Sequence, residues 1–328
     1  MPVLTDQIST KLLNDADSKM NWFARRPVVC IAAMTIISFG PLDLLVNAQQ
    51  SQNPSPMQEQ TRAHIRVQDK AYATQSVILK EVLSRPVEIF IPACVPSTNK
   101  MSLLFHFHGA DFVVDSSIVN VREKIAGLSI NLGAGSGVYG REFTKSGSFQ
   151  ALYDSTVQIL QNKYKNITID EVILSGFSAG YGAVRSILAD ENRPKIDRVL
   201  LLDGIHAGYI PPGTGLYYGG KVDSTDLLAF NALAEKSMEE NADAAFLITH
   251  SEIFPGTYVS TTEATDYILG KIGIAREPVL RWGPGGMQQL SIAEKGRFRV
   301  LGFAGNTAPD HMDHLHNLPT FLNELLQM

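Results

Sequence analysis

The sequence predicts an α/β fold: a doubly wound, mostly parallel sheet of about eight strands with helices on both faces. Three observations carry the prediction. Past residue 75 of the 328-residue chain, short apolar runs alternate with longer helical patterns. The short runs are apolar throughout rather than at alternate positions, as strands buried on both faces require. Seven of the eight histidines stand at or just beyond the ends of these runs, His64 being the exception. Open α/β sheets bind ligands at the carboxyl ends of their strands.

In chain order, Val77 to Leu83 adds an antiparallel edge, and "VEIFIPA" follows Pro86 as a strand. "SLLFHFHGAD" reads as a strand that ends in a glycine turn, followed by a helix near 116–126. "GLSINLG" is the next strand, and its Gly-rich continuation at 131–140 is expected to be a loop approaching the pocket. No Lys-Ser/Thr pair follows it, as a phosphate cradle would require. A helix over 149–163 leads to the strand "EVILSG", and a helix over 179–190 leads to "RVLLLDG". "HAGYIPPGTGLYYGG" at 206–220 reads as a small lid or substrate wall. A helix over 224–240, the strand "AAFLITHS" and a helix over 262–272 follow. "RWGPGGMQQLS" is expected to be a loop carrying Trp282, and "FRVLGFAG" is the last strand. Pro319 fits the first turn of a terminal helix, which leaves His311, His314 and His316 in the preceding loop or a short turn. Strands alternating with helices imply right-handed crossovers, and no domain boundary is evident within 76–328.

The N-terminus differs. Arg25 and Arg26 precede an apolar stretch ending at "VNA", the pattern of a signal peptide cleaved after Ala48. Residues 1–48 are therefore expected to be a leader, with Met20 as an alternative start. The protein is then exported to the periplasm or beyond the cell. An uncleaved segment would instead allow membrane association. Residues 49–75 read as a polar linker, "QQSQNPSPMQEQ" resisting a packed core. Cys94 alone would remain after cleavage, so the mature chain has no intramolecular disulfide. The net charge of −5 gives no basic surface for nucleic acid.

The most specific motif is "GFSAG", placing Ser178 between Gly176 and Gly180 after an apolar strand and before a helix. A serine on so tight a turn has strained backbone angles, and bulky neighbours would clash; the strain exposes its hydroxyl. With "HFHGAD" at 106–111 and the late histidine cluster, residues 76–328 resemble the α/β-hydrolase superfamily of serine esterases and lipases. The resemblance implies Ser178 as nucleophile, then an acid, then a histidine base. It implies oxyanion donors at the backbone N–H of Ala179 and of Gly109 or Ala110. His106 and His108 would anchor the loop. His311 or His314 would be the base. The acid is either Asp203, ending "RVLLLD", or Glu252, whose spacing to Pro255 resembles the family's D-x-x-P pattern. The expected activity is hydrolysis of a carboxylic ester or related acyl bond through an acyl-enzyme, on a small-molecule or lipid-like acyl substrate, with no cofactor. Two other readings stand beside it: a non-catalytic binding protein on the same scaffold, and a metal-dependent hydrolase using the C-terminal histidines and Asp310 and Asp313 as ligands.

Overall fold

A computed structural model describes residues 62–93 and 99–328. The expected leader, the first part of the expected linker and Cys94 lie outside the described residues. Among the described residues, no helix is long and apolar enough to cross a membrane.

The apolar runs form strands. In chain order these are β1 (Thr74–Leu79), β2 (Val87–Pro92), β3 (Lys100–Phe107), β4 (Ile125–Ile130), β5 (Thr168–Phe177), β6 (Arg198–Leu202), β7 (Tyr209–Ile210), β8 (Lys221–Val222), β9 (Ala245–His250), β10 (Glu277–Trp282), β11 (Gln288–Lys295) and β12 (Phe298–Phe303). Ten of them make one sheet in the order β1-β2-β4-β3-β5-β6-β9-β12-β11-β10. The pairs from β4 through β12 are parallel, whereas β1, β2, β11 and β10 join antiparallel. The sheet is thus the expected mostly parallel, doubly wound one, made larger: β10 and β11 prolong the far edge beyond the expected eight strands. Residues 281–291, expected to be a loop, instead span the end of β10, "GPGG" and the start of β11. Those glycines make the turn between two antiparallel strands, and β10 is largely exposed, so its sequence lacks a continuous apolar run.

Helices cover both faces. On one face lie α1 (Asp111–Asn120) and the terminal helix α8 (Leu318–Leu326), which pack Val114, Ile118, Phe321 and Leu322 against Leu104, Ile173 and Leu200. On the other lie α2 (Ser136–Thr144), α3 (Ser148–Lys163), α4 (Tyr181–Ala189), α5 (Leu228–Ser237) and α6 (Thr261–Ile272). Their Phe143, Phe149, Val184, Phe230 and Ile268 meet Phe105, Leu174 and Phe246. Alternate residues of β3 divide between the two cores, as a strand with period two must. Helix α1 begins at Asp111, five residues before its expected start, directly after the glycine turn. Helix α2 occupies part of the expected Gly-rich loop. Gly182 permits its packing, since a Cβ there would strike the Ser136 backbone.

Two further differences bear on the site. Helix α7 (Ala308–His316) contains all three C-terminal histidines, which were expected in a loop or a short turn. Thr307 caps it, accepting from Asp310 N while the Asp310 carboxylate accepts from Thr307 N, a reciprocal box. In addition, residues 62–67, assigned by sequence to the linker, lie against α7. Arg62 and Arg66 both pair with the buried Asp313, Arg62 also reaches Asp310 at 2.8 Å, and Val67 N donates to His316 Nδ1 at 3.1 Å.

Candidate active site

Strand β5 runs straight into the turn carrying Ser178. The backbone there has φ +47°, a left-handed conformation that a serine adopts only under constraint. Two glycines supply the room. A Cβ at Gly180 would collide with the carbonyl of Phe107 on β3, and one at Gly176 would crowd the backbone of Gly180 and Tyr181. A third was not singled out in the sequence: a Cβ at Gly204 would strike the Ser178 backbone itself. Gly204 follows Asp203, so the end of β6 lies directly against the serine turn. The signal for Gly204 was the "DG" at a strand end, which also fits an ordinary turn.

Asp203 is buried and has φ +42°. Its Oδ2 accepts from His311 Nδ1 at 2.7 Å and from Ser251 Oγ at 2.7 Å, and its Oδ1 accepts from Ser251 N at 2.9 Å. Burial alone disfavours the charge. Nearby His314, the His311 hydrogen bond and the Ser251 donors outweigh it and hold the carboxyl well below the usual carboxylate range. Glu252 is not part of this arrangement. Its residue is exposed, and its recorded contact is through the backbone, N–H to Gly305 O at 2.8 Å. Of the two expected acids, Asp203 is the one that contacts a C-terminal histidine.

His311 stands on the first turns of α7, half-buried, with its ring centroid 4.5 Å from that of Phe177, the residue before Ser178. His314, one turn further on, faces the core instead. It is buried beside Phe303 and Phe321, and its Nδ1 pairs with Thr249 Oγ1 at 2.8 Å. His316 accepts from Val67. The three histidines thus serve three separate neighbourhoods and do not converge as metal ligands. Among the described residues one group has metal-compatible spacing: His64, Asp310 and Asp313. Its carboxylates already face the guanidiniums of Arg62 and Arg66, which would repel a cation.

At the end of β3 the glycine turn holds both expected oxyanion positions. Gly109 N–H donates to Asn131 Oδ1 at 3.0 Å and is therefore engaged. No acceptor pairs with Ala110 N–H among the described residues. His106 is an internal residue, Nδ1 against Ser175 Oγ at 3.0 Å, with its pKa lowered to about 3 by burial. His108 has φ +70°. Tyr139 Oη accepts from Leu132 N–H and pairs with His108 Nδ1 at 2.9 Å. Burial and the proximity of His311 lower the His108 pKa, which keeps it neutral.

Ser178 and Ala179 open into a cavity of about 600 Å³, whose walls include His108, Ser136, Tyr181, His206 and Tyr258. Ser178 Oγ makes no hydrogen bond among the described residues. Catalytic hydrogen bonds are commonly long before substrate binds.

No protein-family model and no curated protein sequence matches the chain. Its fold does match solved structures. A zinc-bound cold-adapted esterase from an Arctic intertidal metagenomic library is 13% identical, with a TM-score of 0.45 over 81% of this chain and 100% of that one. Carboxyl esterase 2 of the mycorrhizal fungus Tuber melanosporum is 13% identical, with a TM-score of 0.43 over 86% of this chain and 97% of that one. An acylaminoacyl peptidase of Pyrococcus horikoshii is 12% identical, with a TM-score of 0.43 over 79% of this chain and 42% of that one. At these identities and scores no activity, metal site or substrate carries over to this chain.

Proposed function

We propose that the protein is a serine hydrolase acting on carboxylic esters, with Ser178 as nucleophile, His311 as base and Asp203 as acid. The observation that carries this reading is the Asp203–His311 hydrogen bond, made beside a serine held at positive φ and open to a cavity. Asp203 fixes the imidazole with Nδ1–H toward itself and Nε2 free to accept a proton, and it stabilises the imidazolium that forms. Ser178 Oγ attacks the ester carbonyl while His311 Nε2 takes its proton. The developing alkoxide is held by the N–H of Ala179 and of Ala110, the turn N–H that Asn131 does not occupy. Each such donor is worth on the order of 10²–10³ in rate. His311 then protonates the departing alcohol, and water, activated by the same imidazole, releases the acyl group. Esters demand less leaving-group activation than amides, which favours ester hydrolysis as the reaction.

Turnover of p-nitrophenyl acetate by the purified chain tests this, with Ser178→Ala and EDTA treatment in parallel. Activity abolished by the substitution and unaffected by the chelator is expected. Activity that survives Ser178→Ala and disappears with EDTA would replace the serine mechanism with a metal-dependent one.

A further inference from the structure

Resting on the serine-hydrolase reading, we infer that the substrate is an ester of a short acyl group with a polyhydroxylated alcohol, such as a carbohydrate. The cavity wall carries the argument. A long acyl chain needs a continuous apolar wall to leave water. The purely aliphatic side chains facing this cavity are three alanines, Ala134, Ala179 and Ala207. The larger side chains there are polar or aromatic with a polar tip.

Two of them are arranged as a hydroxyl reader. Arg185 NH1 donates to Asp226 Oδ1 at 2.6 Å, and Asp226 Oδ2 accepts from Gly208 N at 2.9 Å. Both side chains keep about a third of their surface exposed, at 31% and 34%. The guanidinium is further placed over the Tyr181 ring, 5.7 Å from its centroid, and Tyr181 Oη donates to Ser136 Oγ at 3.2 Å. The pair as a whole is neutral. A carboxylate ligand approaching Arg185 would meet Asp226, and an ammonium approaching Asp226 would meet Arg185. A hydroxyl can donate to one and accept from the other, so vicinal hydroxyls fit the pair where a single charge does not.

The remaining polar atoms extend this pattern. His206 Nδ1–H donates to Val259 O at 2.9 Å, and burial lowers the pKa, so its Nε2 is an acceptor. His108 adds a second imidazole to the same cavity wall. Tyr258 stands edge-to-face on His206 with centroids 5.0 Å apart and is 44% exposed. Its ring gives an apolar face for the C–H surface of a sugar.

Acetate release from 6-O-acetyl methyl glucoside, which keeps three free hydroxyls, and from hexyl acetate, together with a p-nitrophenyl acetate, butyrate and octanoate series, tests the inference on the full chain. Octanoate is expected to have a kcat/KM at least about tenfold below that of acetate, and the glucoside acetate to exceed hexyl acetate by about tenfold. Asp226→Asn and Arg185→Met should each collapse the glucoside-to-hexyl ratio, mainly through KM. Asp226→Asn keeps the volume and an acceptor for Gly208, so it reads the ratio if Arg185→Met fails to fold. Octanoate turnover equal to acetate, or a ratio untouched by Asp226→Asn, would overturn the substrate class. Those outcomes are separable from failure of the underlying reading, in which a fluorophosphonate would not label Ser178 at all.

Discussion

His311 Nδ1 lies 2.7 Å from Asp203 Oδ2, although 108 residues separate them in the chain. The contact joins the end of β6 to the first turns of α7, and on the proposed function it makes Asp203 the acid. Asp203→Asn should lower kcat by about 10³- to 10⁴-fold by presenting the wrong hydrogen-bonding partner to the imidazole. Glu252→Gln should change it less than about twofold, as expected for an exposed side chain with no hydrogen bond or ion pair among the described residues. Steady-state kinetics of the two variants check this; a larger loss at Glu252 would reassign the acid.

Gly204 presses against the Ser178 backbone, and a Cβ there would strike it. Gly204→Ala should reduce turnover by about 10²-fold while the protein stays folded by circular dichroism, since small misplacements of a reacting group have that effect. Gly270 is the contrast. It is exposed on α6 with open space around its Cα, so Gly270→Ala should stabilise by about 0.5–1 kcal/mol in urea unfolding.

Much of this was legible in the sequence because its physical demands are local. "GFSAG" announces a strained turn, since only glycine fits where Phe107 and Tyr181 close in. The parallel strands announce themselves because burial on both faces makes their runs mostly apolar, without a polar residue at every second position. What was missed depends on the third dimension. Asp203 and Glu252 both follow strands, and only the packing of α7 over β6 selects one. The helical state of His311 was signalled by Thr307 and Asp310 at capping-box spacing, but "APDHMDHLH" carries too few apolar residues to read as a helix. The strap from Arg62 to Val67 looked like a tether because its partners, Asp310 and Asp313, lie 247 to 251 residues away in sequence.

That strap leads to a stability prediction. Asp313 has 1% of its side chain exposed and faces Arg62, His64 and Arg66. Replacing both arginines by glutamine leaves a buried carboxylate without its cations and should cost about 3–5 kcal/mol. Adding Asp313→Asn to that variant removes the uncompensated charge and should recover part of the loss. Chemical denaturation of the three proteins gives the comparison; no loss in the double variant would show that the strap contributes little.

Acid should weaken the fold before the carboxylates titrate. His106 and His250 are fully buried, and burial lowers their pKa values to about 3 and about 4; Arg276, donating to His250 Nε2 at 2.9 Å, adds to the second. Above about pH 6.5 both are neutral folded and unfolded, so their contribution is complete. As pH falls toward 4, the unfolded chain takes up protons that the folded chain refuses, and stability is lost at about 1.4 kcal/mol per pH unit for each histidine. Unfolding free energies at pH 7, 6 and 5 should show this slope, and His250→Gln should reduce it by about one proton; a flat profile in the native protein would contradict the account.

The central claim is that Ser178 is an activated nucleophile, and covalent labelling with a fluorophosphonate probe tests it most directly. The account predicts that the purified native chain is labelled, that peptide mapping places the adduct on Ser178, and that Asp203→Asn labels far more slowly. A folded chain that takes no label would contradict it.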